Sequence, residues 1–209
     1  MLIAMDGPAA SGKGTLAKKL ALHYGLTHLD TGSLYRAIAH KLLVSGKPLD
    51  DEKIAVEVAL SLDPDTLNDQ ALRMPEVGQA AAKVAKFGAV RDALHTFQRA
   101  YAEKPDGAVI EGRDIGTVVC PDADVKIFVE ASTEVRAARR HKELIEAGCD
   151  ISYEDIHAQI AARDEADRSR AISPLKPAED ALLLDTSDLG IEAAFKAAIK
   201  LIDTAMLRS

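Results

Sequence analysis

A lysine framed by glycines is the first feature with chemistry in it. Gly7, Pro8, Ala9, Ala10, Ser11, Gly12 and Lys13 fit the spacing G-x-x-x-x-G-K. Glycines let backbone N–H groups turn inward around a phosphate, and a helix that starts there adds the partial positive charge of its N-terminus. Lys13 would reach the β- and γ-phosphates of a nucleotide. A glycine-rich turn with a surface lysine has the same spelling. Here, however, the motif follows a short apolar run, Leu2 to Met5, and precedes a helical pattern. The residue after Lys13 is Gly14, where the common form of this loop carries Ser or Thr for Mg2+. The hydroxyl comes one position later, as Thr15, so Thr15, or Glu111 through water, are the candidates for holding Mg2+.

The second cluster is basic. Seven of the twelve arginines lie between residues 113 and 170 of an acidic chain. Arg163, Asp167 and Arg170 fall at spacings of four and seven, which predicts one helix face about 60° wide. Asp164 and Arg168 point elsewhere and are expected to form an i,i+4 ion pair. Arg136, Arg139 and Arg140 also share a helix face. Such faces are often merely solvated, but two of them beside a phosphate loop suit phosphoryl transfer. That reaction spreads negative charge over equatorial oxygens, which forked guanidinium donors match.

These residues need a scaffold that brings them together. Apolar strands are predicted at 2–5, 28–30, 108–111, 125–129 and 182–185. Helices are predicted after Gly14 up to Gly25, over 33–44, 132–147, 153–170 and 190–207, and through most of 50–105 with breaks at Pro64, Pro75 and Gly88. Strands alternating with helices imply an α/β fold, a parallel five-stranded sheet flanked by helices. Four of the strand segments end in an acid: Asp6, Asp30, Glu111 and Asp185. Ligands of such sheets bind outside the carboxyl ends of the strands, although an acid there serves equally well as a turn or cap residue.

Composition removes other classes. With 209 residues, 47% apolar and 28% charged, one domain with its own core is expected. The net charge of −7, the absence of Trp and only eight Tyr plus Phe argue against nucleic acid and anionic membranes as partners. No apolar run approaches the ~20 residues of a membrane span. The first residues lack a basic leader pattern, so a cytoplasmic protein is expected. Cys120 and Cys149 form no metal-binding spacing and read as reduced thiols. The six histidines show no ligand spacing with carboxylates, and no long apolar heptad argues for anything beyond a monomer.

Taken together, several motifs carry a family resemblance. Lys13-Gly14-Thr15 looks like the nucleoside monophosphate kinases. The segment Leu29 to Arg36 (LDTGSLYR), the segment Gly112 to Val119 (GRDIGTVV), the pattern Arg163-Asp164-x-x-Asp167-Arg168-x-Arg170, and the pairs Pro174-Leu175 and Asp180-Ala181 resemble cytidylate kinases. The resemblance implies a single P-loop kinase domain over 1–209, with a helical monophosphate-binding region at 38–105 and a lid at 140–162. It implies transfer of the ATP γ-phosphate to CMP or dCMP, with Mg2+. By the family pattern, Arg36, Arg113 and Arg170 hold the α-phosphate of CMP. Thr31, Arg91 and Asp114 face the cytosine, Tyr35 packs near the nucleotide, and Arg163 and Asp167 meet the sugar and phosphate. Arg139 and Arg140 are lid-hinge candidates for the ATP phosphates. The chain departs from the pattern twice. Residues 60–76 are too few for the β-rich insertion of the long family form, and Ala82 stands where a base-contacting Ser is frequent. The alternatives are a kinase for UMP, AMP, shikimate or dephospho-coenzyme A, or a nucleotide-gated switch with no acceptor.

Overall fold

Alternation of apolar strands with amphipathic helices produces a five-stranded sheet in the order β2-β3-β1-β4-β5. The structure is a computed structural model that describes residues 1–63, 67 and 70–207. The strands are β1 (Leu2–Asp6), β2 (Thr27–Asp30), β3 (Ala108–Gly112), β4 (Val125–Glu130) and β5 (Leu182–Asp185). β1 runs parallel to β3 and β4, and β4 parallel to β5. The register pairs Asp6 with Gly112, so the loops leaving β1 and β3 emerge side by side at the carboxyl edge. That edge is where sheets of this kind bind ligands.

The helices are α1 (Lys13–Tyr24), α2 (Thr31–Val44), α3 (Glu52–Leu60), α4 (Pro75–Val84), α5 (Gly88–Ala102), α6 (Thr133–Glu146), α7 (Tyr153–Arg168) and α8 (Ile191–Met206). Pro75 opens α4 because its fixed φ and missing N–H suit a first helical position. Gly25 ends α1 at φ 67°, a left-handed cap. The break expected at Pro64 lies outside the described residues; within 60–76, Gln70–Arg73 form a 3-10 turn. α7 stops at Arg168 with Ser169 as its cap, so Arg170 lies beyond the helix that was expected to carry it. The segment Ile115–Val119, unforeseen as an element, is a π-helical turn.

The chain divides into two compact units: residues 1–28 with 104–209, and residues 29–103. In the first, Ile3, Met5, Leu16, Leu20, Val109, Ile127 and Ile202 form the core between sheet and helices. A smaller cluster of Ala137, Leu144, Ile156 and Ile160 joins α6 to α7, with Ala10 packed against it. In the second, Leu34, Ile38 and Leu42 of α2 pack with Ala55 and Val58 of α3, Ala81 and Val84 of α4, and Val90 and Leu94 of α5.

Candidate active site

The phosphate loop leaves β1 under tight constraint. Gly7 has φ 150°, and a Cβ there would lie 2.0 Å from the Val129 carbonyl oxygen of β4. Glycine alone allows the loop to pass so close to the sheet. Pro8, Ala9, Ala10 and Ser11 form the arc, with Ala10 at φ 59° and Gly12 at φ 87°. The carbonyls are tied back: Arg136 Nη1 donates to Ala9 O at 3.3 Å, and Thr186 Oγ1 to Ser11 O at 3.0 Å. Tying the carbonyls back is what lets such a loop present its N–H groups to an anion. α1 then begins at Lys13 with no side-chain cap and no acid in its first turn. Its N-terminal dipole is not neutralised from within the helix.

The three arginines of α6 have different tasks. Arg136 is only 2% exposed and grips both carboxylate oxygens of Asp164 on α7, at 2.5 and 3.1 Å. Asp164 therefore pairs with Arg136, and not with Arg168 as its spacing suggested. A buried forked pair outcompetes a solvent-exposed i,i+4 contact once the second helix is in place. Arg139 lies behind the loop, donating to Ser11 O at 3.4 Å, Thr186 O at 2.6 Å and Leu189 O at 3.3 Å. In this arrangement it braces the loop rather than reaching into it. Arg140 forms a surface pair with Glu143 at 2.8 Å.

Two strand-end acids flank the loop. Glu111, 3% exposed, places its Oε1 2.9 Å from His28 Nε2, where the carboxylate accepts from the ring N–H. Its carboxylate oxygens would both lie 3.3 Å from a Cβ on Gly14, while Thr15 is exposed. Asp6 is buried and accepts from the amides of Ile115 at 2.8 Å and Gly116 at 2.7 Å. It thereby fixes the turn that follows Arg113 and Asp114. Burial pushes the Asp6 carboxyl up to about 6, against the lowering pull of its two amide donors. Asp114 is buried at the start of that turn. Among the described residues no group of three His, Cys, Asp or Glu could hold a metal by itself. Asp185 is a turn residue, accepting from the amide and hydroxyl of Ser187 at 2.8 and 2.6 Å.

Arginines converge on Asp167. Arg113 Nε lies 3.1 Å from its Oδ2, Arg163 Nε lies 3.9 Å away, and Arg170 donates to Oδ1 from beyond the end of α7. Burial alone would raise this carboxyl. The charges of Arg113, Arg170 and Arg163 override it and hold it below the usual carboxylate range. Arg170 Nε is buried with no hydrogen-bond partner among the described residues.

The second unit holds the remaining predicted residues. Arg36 Nη2 donates to Asp30 Oδ2 at 2.5 Å, and its Nε is likewise buried without a hydrogen-bond partner among the described residues. Thr31 is buried at the start of α2. Arg91 stands over the Tyr35 ring, 5.8 Å from its centroid, and reaches Ala85 O at 3.5 Å. Ala82 is half-buried on α4. Sequence reasoning overlooked the bracing roles of Arg136, Asp164 and Thr186 and the contact of His28. For Asp6 a signal existed, an acid wedged between a buried strand and a glycine; for Thr186 and His28 there was none.

Comparison with known proteins follows the same lines. A family model described as cytidylate kinase matches residues 3–204. A cytidylate kinase of a Bradyrhizobium species is 56% identical over 203 residues, spanning 97% of this chain and 96% of the relative. Those of Xanthobacter autotrophicus and Brucella ovis are 56% and 55% identical, over 97% and 98% of this chain and 97% and 94% of theirs. Among solved structures, a gluconokinase from Sinorhizobium meliloti shares the fold at TM-score 0.51 and 14% identity, over 100% of this chain and 97% of its own. An uncharacterized protein from Eubacterium ventriosum does so at TM-score 0.55 and 16% identity, over 98% of each chain. The match over nearly the whole length and the loop built around Lys13 lead to one conclusion: this chain belongs to the cytidylate kinase family.

Proposed function

We propose that the protein transfers the γ-phosphate of ATP to the α-phosphate of CMP or dCMP, giving CDP or dCDP, as a cytoplasmic monomer. The observation that carries this reading is the group of Arg113, Arg163 and Arg170 around buried Asp167, in the same unit as the lysine-bearing phosphate loop. The unit thus has a donor cradle and a second anion site. The acceptor oxygen is already anionic, because a phosphate has its second pKa near ~6. No general base is required, and the rate comes from positioning and charge neutralisation.

In this reading the loop residues 7–15 hold the ATP phosphates, with Lys13 on the transferring group. By the family pattern Arg36, Arg113 and Arg170 hold the CMP phosphate, and the buried Nε of Arg170 is a donor that such a phosphate would satisfy. Thr31, Arg91 and Asp114 meet the cytosine, Tyr35 packs nearby, and Arg163 with Asp167 serves sugar and phosphate. Mg2+ takes one or two carboxylates and otherwise phosphate oxygens and water, which suits Glu111, a buried acid against the first turn of α1. Glu111 and Thr15 would hold it, and it would neutralise charge on the β- and γ-phosphates. The 140–162 segment serves as a lid that excludes water, hinged near Gly148, which has φ 81°. Arg140 would then turn from Glu143 to the ATP phosphates.

The deciding experiment measures ADP release with a panel of CMP, dCMP, UMP, AMP, shikimate and dephospho-coenzyme A. CMP and dCMP are expected to give the highest kcat/KM. Preference for another acceptor, or slow hydrolysis independent of all of them, would overturn the assignment.

A further inference from the structure

Gly14, Glu111 and His28 form a unit of their own beside the phosphate loop. Gly14 stands in the first turn of α1, directly after Lys13. A Cβ on it would lie 3.3 Å from both carboxylate oxygens of Glu111, a distance that requires the carboxylate to shift by a few tenths of an ångström. The carboxylate is not at liberty to do so. It is 3% exposed, it sits on the central part of the sheet with Met5 as its neighbour in register, and His28 Nε2 lies 2.9 Å from its Oε1. His28 itself comes from the neighbouring strand β2, with a side chain only 18% exposed, so its ring has little room to swing away.

We propose that His28 is a positioning residue of the donor site, clamping Glu111 against the first turn of α1 so that this carboxylate occupies the side of the helix where the usual phosphate loop carries a hydroxyl. The inference rests on the reading of residues 7–15 as an ATP site. It explains why the residue after Lys13 is glycine: any side chain there would meet a carboxylate that His28 prevents from yielding. Groups that orient a metal-facing carboxylate commonly matter 10- to 100-fold for metal affinity. Arg113, Arg163 and Arg170 gather on Asp167, so loss of the His28–Glu111 contact should leave the acceptor side alone.

The test uses the full chain and two variants of His28. His28→Leu keeps a strand-compatible side chain and removes the ring nitrogen; His28→Gln keeps a donor able to reach Oε1. ATP binding is measured by calorimetry with Mg2+ and with EDTA, and CMP binding separately. His28→Leu is expected to shrink the Mg2+-dependent gain in ATP affinity about 10-fold, with CMP affinity unchanged, and His28→Gln to restore most of it. A second measurement is independent of ligands. Gly14→Ala should lower Tm in the native background and lower it less, or raise it, together with His28→Leu, because the freed carboxylate can yield while alanine favours the helix. Strictly additive Tm changes, or equal losses of ATP affinity with and without Mg2+, would overturn the proposal. A failure of the ATP reading itself would look different: the unmodified chain would bind no ATP in either buffer, which overturns both.

Discussion

The phosphate loop and the arginine cluster around Asp167 are assigned to the two halves of one reaction, yet they are made of different material. The loop is built from backbone. Its shape follows from φ values of 150° at Gly7, 59° at Ala10 and 87° at Gly12, and from carbonyls tied back by Arg136, Arg139 and Thr186. Its charge is a helix terminus plus one lysine. The cluster is built from side chains that arrive from three places: Arg113 after β3, Arg163 and Asp167 on α7, and Arg170 beyond it. A cradle of the first kind is rigid and indifferent to the base attached to the phosphates. One of the second kind keeps long side chains whose partners can change when a substrate arrives. That suits a donor held the same way in every turnover and an acceptor that must be selected.

The comparison is broken most severely at Gly7. Gly7→Ala would drive a Cβ into the Val129 carbonyl at 2.0 Å, where neither partner is a flexible side chain. Destabilisation on the order of 4 kcal/mol and loss of turnover are expected, read from urea unfolding and the ADP-release assay. Lys13→Ala should leave the fold in place and cost roughly 3–4 kcal/mol in the transition state, by analogy with deleting an oxyanion donor. Calorimetric CMP binding should survive that change; if it is lost with the lysine, the division into a donor and an acceptor side is wrong.

Acidity separates the two regions in sign. Asp6, under the loop, has a carboxyl pushed up to about 6 by burial from its ordinary value of 3.8. The folded protein therefore holds this proton more tightly than the unfolded chain. Its contribution to stability is fully present below pH 3.8 and is lost as pH rises through 6, a change on the order of 3 kcal/mol. Asp167 is the opposite case: its lowered carboxyl contributes stability above the ordinary carboxylate range and loses it on acidification. The stability advantage of the native chain over Asp6→Asn should grow between pH 7 and pH 4, whereas its advantage over Asp167→Asn should hold over that range and shrink only on acidification below the ordinary carboxylate value of 3.8. Denaturant melts carried from pH 7 to below pH 4 check both signs. The amide resonances of Ile115 and Gly116 should titrate near 6 without substrate, since Asp6 accepts from both.

The smallest effect is expected at Ala82. Ala82→Ser adds one hydrogen-bonding group on α4, worth about 0.5–1.5 kcal/mol net. The ratio of kcat/KM for CMP over UMP should rise accordingly. A ratio that does not rise removes this position from base selection.

The sequence alone was enough for whatever depends on a few neighbouring residues. The glycine-lysine loop, the five strands, α1 closing at Gly25 and α4 opening at Pro75 follow from φ preferences and from a hydrophobic period that repeats within one turn or one pleat. The motif resemblance added the family, because short blocks such as Gly112 to Val119 keep their spelling. Only the tertiary structure decided which charged groups meet. Asp164 took Arg136 across two helices rather than its neighbour Arg168. Arg170 joined Asp167 although α7 had already ended. Asp6 found two amides in a π-helical turn more than a hundred residues away along the chain. Local preference settles a backbone angle at the residue itself. An ion pair or a buried acceptor is settled by which elements the fold brings within about 4 Å, and that distance exists only once the core has formed.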